Sequence, residues 1–145
     1  MTDPHGLQRF VAAQDRAGTF TAAAEELRAG RKHGHWMWFV FPQVAGLGQS
    51  SMSRTYAISS LEEARAYLMH PVLGPRLLEC TEIVADLEGR TAQEIFGGID
   101  AIKLRSSMTL FAHADPAEPL FGRVLDANFG GVPDEATERL LGIDR

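Results

Sequence analysis

Apolar positions along this chain recur at helical spacing far more often than in alternation. Leu7, Phe10, Val11 and Gln14 lie three or four apart, and Phe20, Ala23, Ala24 and Leu27 repeat the pattern after Gly18, so the opening segment predicts two short helices. The run Trp36 to Phe41 ends at Pro42 and is too short for periodicity to separate a buried strand from a helical turn; it reads as buried and irregular. Pro42 to Ser53, with Gly46, Gly48 and a cluster of polar residues, has the chemistry of a surface loop. Ser60 followed by Glu63 forms a capping box that opens a helix ending near His70-Pro71, because the residue before proline avoids the helical region.

Gly74 to Leu87 is the next predicted helix, with Leu77, Leu78, Val84 and Leu87 on its apolar side. Thr91 with Glu94 is a second capping box, for a short helix closed at Gly97-Gly98. The spacing of Ile99, Ile102, Ser106 and Leu110 predicts a helix over about 100–111 with those four residues toward the core. Asp115 with Pro116 behind it predicts another helix start, and Asp134 caps a last helix stopped by Gly142. No segment sustains a strand-like alternation. The expected fold class is therefore mostly α, one domain over residues 1–145, with at most a small β element.

Composition narrows the setting. The chain has 145 residues, 45% hydrophobic and 23% charged, the balance of one folded unit of ordinary size. Its longest apolar run, Trp36 to Phe41, is far short of the about 20 residues a membrane span needs. The first residues carry no export or organelle pattern, so a cytoplasmic protein is expected. Cys80 is the single cysteine, which excludes an internal disulfide and argues against a structural metal site; no cofactor is expected. The net charge of −5 is uneven: residues 1–50 hold five Lys/Arg against four Asp/Glu, and Arg28, Arg31, Lys32, His33 and His35 crowd together. That patch is too small for a nucleic-acid face and suits a small anion better.

Three groups of residues could carry chemistry. The first is Arg31, Lys32 and His35 placed directly against Trp36 and Trp38 and followed by Gln43: indoles are costly to expose, and a lysine beside them needs an anion or a π-face, which argues for a pocket wall. If the segment before Trp36 were helical, Arg28, Lys32 and Trp36 would share one face. The alternative is a buried aromatic cluster beside a solvated turn. The second group is Asp100, Lys103, Ser106 and Ser107, a polar line beside an apolar one; the plainer reading is an i, i+3 ion pair and a hydroxyl bonded back to a helical carbonyl. The third is Gln14, on an otherwise apolar face, where an amide either braces a neighbouring loop or meets a ligand. There is no nucleophile elbow, zinc-protease motif or dinucleotide fingerprint, and Cys80 has no nearby cation to activate it.

Read together, Phe10-Val11-x-Ala13-Gln14, Gly30-Arg31-Lys32-x-x-His35-Trp36-Met37-Trp38-Phe39-x-Phe41-Pro42-Gln43, His70-Pro71-x-Leu73-Gly74 and Asp100-x-x-Lys103-x-x-Ser106-Ser107-Met108-Thr109-Leu110-Phe111 resemble the bacterial DUF1810 family over nearly the whole chain. That family has no settled biochemical function. A remoter similarity, through the aromatic-x-Ala-Gln stretch at Phe10 to Gln14, is to the YbiA-like or NADAR group, helical proteins linked to NAD and ADP-ribose. Where that group follows the glutamine with a lysine, this chain has Asp15.

The resemblance implies a YbiA-like helical fold and two functional readings. One is an N-glycosidase or ADP-ribosyl-hydrolase-like enzyme, with Arg31 and Lys32 on phosphates, Trp36 or Trp38 stacked on a base or ribose, and Lys103, Asp100 or Lys32 acting at the anomeric carbon. The other is a module that binds a phosphorylated, nucleotide-like ligand without turnover, which the missing lysine favours. In both, Gln14, Arg31, His35, Trp36, Trp38, Gln43, Ser106 and Ser107 are the expected ligand contacts.

Overall fold

The computed structural model describes residues 3–87 and 89–143. Two helices open the chain, α1 (Gln8–Asp15) and α2 (Thr19–Arg28), joined by a tight 3-10 turn, Arg16–Gly18, in which Ala17 takes a left-handed φ of 51°. A single helical turn, α3 (Met37–Val40), answers the ambiguity of the aromatic run. The expected loop after it is shorter than predicted: Ser50 accepts from the Ser53 backbone N–H and caps a one-turn helix, α4 (Ser51–Thr55), and Val44 bridges Ile58, the one β pairing among the described residues.

Then follow α5 (Leu61–Met69), α6 (Leu73–Asp86), α7 (Ala92–Phe96), α8 (Gly98–Ala114), α9 (Pro119–Phe129) and α10 (Glu135–Leu140). The capping box at Thr91 is complete, each partner bonding the other's backbone. At Ser60 only half of it forms, because Glu63 turns away to accept from Ser59 and to pair with Arg9 at 2.9 Å. The helix predicted to start at Asp115 starts later: Glu118 is its cap and Pro119 its first residue, since proline's fixed φ and missing N–H suit that position.

α8, the longest element, runs through the middle and packs on α5, α7, α9 and α10, while α6 packs on α2, α5 and α9. Two aromatic strings knit these layers. Phe10, Tyr67, Phe111 and Phe121 follow one another at centroid distances of 5.1, 5.4 and 5.8 Å across α1, α5, α8 and α9. Trp36, Phe41 and Phe96 form the second, 6.0–6.5 Å apart. Cys80 is fully buried on α6, and burial pushes its thiol up to about 12.

The face α8 buries is the predicted one only in part: Ser106 and Leu110 lie in the core, and the two isoleucines do not. Ile99 and Ile102 are 75% and 64% exposed, and the core side is Ala101, Leu104, Met108, Phe111 and Ala114 with Ser106, Ser107 and Thr109. The hydroxyls tolerate burial because two of them bond back to the preceding turn, Thr109 to the Arg105 carbonyl at 2.8 Å and Ser106 to Ile102 at 3.3 Å.

Candidate functional site

Residues 29–36, after α2, are not helical, so Arg28 does not line up with Lys32 and Trp36; it pairs instead with Glu79 on α6 at 3.0 Å. The segment is a loop held at three points. The Lys32 N–H donates to the Ile95 carbonyl of α7 at 2.7 Å. Arg90 lies so close to Gly30, whose φ is +76°, that a Cβ there would sit 2.7 Å from the arginine side chain. Glu26 of α2 is the third anchor: its Oε1 accepts from the His33 and Gly34 backbone N–H groups at 2.6 and 2.8 Å and from the Trp36 indole at 3.0 Å. Burial raises this carboxyl, but those three donors outweigh it and hold Glu26 below the usual carboxylate range.

The anchored loop delivers Lys32 to the first turn of α8. Its Nζ lies 2.9 Å from Asp100 Oδ2, donates to the Gly34 carbonyl, and sits 4.9 Å from the centre of the Trp36 ring. From the other side Lys103 Nζ approaches Asp100 Oδ1 at 3.6 Å and lies 4.8 Å from the centre of Trp38. One carboxylate between two ammonium groups leaves a net positive charge. The N-terminus of α8 adds to it, because Gly97 precedes the helix and no side chain caps it.

Beside this cluster is a concavity of about 380 Å³ lined by Lys32, His35, Trp38, Phe96, Gly98 and Asp100 among others. The indole N–H of Trp38 is buried without a hydrogen-bond partner among the described residues. Lys103, Ser106 and Gln43 line an adjoining concavity of about 330 Å³. The structure thus brings Lys32, His35, Trp38, Asp100 and Lys103 together, with Gln43 and Ser106 next to them.

Other predicted residues stand elsewhere. Trp36 is 2% exposed and is the inner wall of the cluster, not its surface. Arg31 is exposed and forms no side-chain hydrogen bond or ion pair among the described residues. Ser107 is buried in the core, its hydroxyl unpartnered among the described residues. Gln14 is saturated by protein groups: it donates to the Phe39 carbonyl at 2.8 Å and to the Tyr67 hydroxyl at 3.2 Å and accepts from Arg76 at 3.2 Å, the geometry of a brace. Asp15 pairs with Arg76 at 2.8 Å. Glu26 belongs to the stretch Glu26-Leu27-Arg28-x-Gly30 that carries the family resemblance, with no role in the site assigned to it; the one hint of that role is a carboxylate shortly before a glycine-containing loop that has spare N–H groups.

The model of a protein family of unknown function, DUF1810, matches residues 4–141. The chain belongs to the DUF1810 family. Within structures known by experiment, this DUF1810 chain is similar to the conserved hypothetical protein Rv1873 from Mycobacterium tuberculosis, with 55% sequence identity, a TM-score of 0.94, and coverage of 98% of this chain and 100% of that one. No protein with a curated description matches this DUF1810 chain. No helix among its described residues is long and apolar enough to cross a membrane.

Proposed function

We propose that the cluster at the start of α8 binds a small phosphorylated, nucleotide-like anion, and that the chain acts as a binding module for it. The observation that carries this reading is that Lys32 and Lys103 meet at Asp100 beside the uncapped N-terminus of α8, next to a concavity with Lys32, Trp38 and Phe96 in its wall and a second one lined by Lys103. Two ammonium groups and a helix N-terminus against a single carboxylate favour an anion. An aromatic wall favours a flat ring attached to it. A ligand of that class, with a YbiA-like fold, is also what the resemblance of the Phe10 to Gln14 stretch implies.

Binding without turnover is preferred because the position where the ADP-ribose-linked group carries its lysine is Asp15 here, paired with Arg76 at 2.8 Å, and Lys32 is committed to Asp100 and Gly34. The hydrolase reading keeps one observation in its favour. Asp100 is a carboxylate at the wall of the concavity, where it could stabilise positive charge developing on a sugar carbon during N-glycosidic cleavage.

Calorimetric titration with ADP-ribose and NAD tests the proposal, with far-UV circular dichroism to confirm that each variant is folded. Binding by the wild type, weakened about tenfold or more in both Lys103→Ala and Lys32→Ala, is the expected result. Binding that both variants retain at full strength overturns it. Release of free base or ADP-ribose by the wild type, abolished in Asp100→Asn, would move the chain to the hydrolase class.

A further inference from the structure

The two concavities beside α8 differ in chemistry. The first, of about 380 Å³, is aromatic and charged, with Trp38, Phe96, Lys32 and Asp100. The second, of about 330 Å³, has aliphatic walls in Leu47 and Ile102, with Gln43, Ser53 and Ser106 as its uncharged polar groups. Its carboxylate, Asp134, is already committed to capping α10 through Thr137, at 3.0 Å to the N–H and 2.6 Å to the hydroxyl. The Gln43 amide forms no side-chain hydrogen bond among the described residues.

Two residues join them. Ile99 lines both. Lys103 lines the second, while its Nζ reaches Asp100 and Trp38, which line the first. Each volume is at the small end of the range for ligand pockets, about 300–1,000 Å³, enough for one ring or sugar rather than two. Between them α8 turns Ile99 and Ile102 to solvent, an apolar exposure at the shared rim that contact with a ligand would remove.

We infer that the site is bipartite: an anionic group bound by Lys103, where the concavities meet, carries one organic group into the aromatic compartment and a second across Ile99 into the aliphatic one. The ligand class is a phosphate or pyrophosphate with an organic substituent on each side, not a phosphate monoester. This rests on the anion-binding reading above and adds to it the second arm.

AMP, with one arm, and ADP-ribose, with two, are the probes, titrated calorimetrically into the full chain. Two variants alter the lining of the second compartment and none of the first: Ala136→Leu, which fills it while keeping a good helix former on α10, and Ile102→Gln, which makes its exposed wall polar without adding charge beside Lys103. The expected result is that ADP-ribose binds about tenfold or more tightly than AMP, and that both variants weaken ADP-ribose by about fivefold or more while AMP changes less than about twofold. AMP and ADP-ribose binding alike, or variants that leave ADP-ribose untouched, overturns the bipartite site and leaves the anion site standing. If neither probe binds, the anion-binding reading falls and this inference falls with it.

Discussion

Lys32 over Trp36 and Lys103 over Trp38 are the same two residue types at nearly the same separation, 4.9 and 4.8 Å, and both lysines face Asp100. Their surroundings set them apart. The side chain of Lys32 is 8% exposed and its amine is held by a carboxylate and a carbonyl; Trp36 is sealed in the core with its indole N–H given to Glu26. Lys103 is 21% exposed with a longer contact to the same carboxylate, and Trp38 is only partly buried, its indole N–H unpartnered among the described residues. In the first pair the indole is scaffold, and the lysine, its amine already held by the fold, lends the site its charge. The other pair retains bonding capacity, and a ligand is what such capacity meets at a concave surface.

The largest expected separation between the pairs is in stability. Trp36→Ala removes a fully buried indole and should cost about 3–5 kcal/mol in urea unfolding, whereas Trp38→Ala should cost less than about half of that. Equal losses would erase the distinction between scaffold and site.

A smaller contrast is expected for the lysines. Lys32→Met strips Asp100 of its close partner in a poorly solvated position and should cost about 2 kcal/mol, while Lys103→Met, removing a longer and wetter contact, should stay within about 1 kcal/mol. If Lys103→Met is the more damaging, Lys103 belongs to the scaffold.

The finest test concerns the anchor behind the first pair. Glu26 has its carboxyl lowered in the folded protein, so it adds stability that is fully present above its ordinary value near 4.5 and is lost as the pH falls through the lowered folded-state value. Glu26→Gln should therefore destabilise by about 1–2 kcal/mol at neutral pH, with the gap to wild type closing on acidification. A gap that persists unchanged in acid would mean that the ionised carboxylate is not what holds the loop.

Most of the helices were legible because their ends are local: the caps at Ser60, Thr91 and Asp134 bond to N–H groups three residues on. The orientation of α8 was legible in part: Ser106 and Leu110 are buried as their spacing predicts, while Ile99 and Ile102, which polarity ranks above Ser106, Ser107 and Thr109 for burial, face solvent. Back-bonding to the helix's own carbonyls reverses that order for two of the hydroxyls. The start of α9 was misread because two prolines, Pro116 and Pro119, each suit a first helical position, and only packing chooses between them.

Of the site, Lys32, Trp38, Asp100 and Lys103 were visible as cations and a carboxylate beside indoles. Their convergence depends on the 29–36 loop being folded back onto α7, which rests on backbone bonds that any side chain could accompany. Glu26, whose role is to receive those backbone donors, carries no motif for the same reason.

The depth of Cys80 gives this chain a spectroscopic use. A thiol that is fully buried and pushed up to about 12 reacts with disulfide reagents only when α6 is torn from its neighbours, so the native protein is blank to them. A cysteine introduced at Ile99, 75% exposed on the rim between the concavities, would then be the sole reactive position. A fluorophore attached there reports occupancy of the rim alone, with the chain's own sulfur silent.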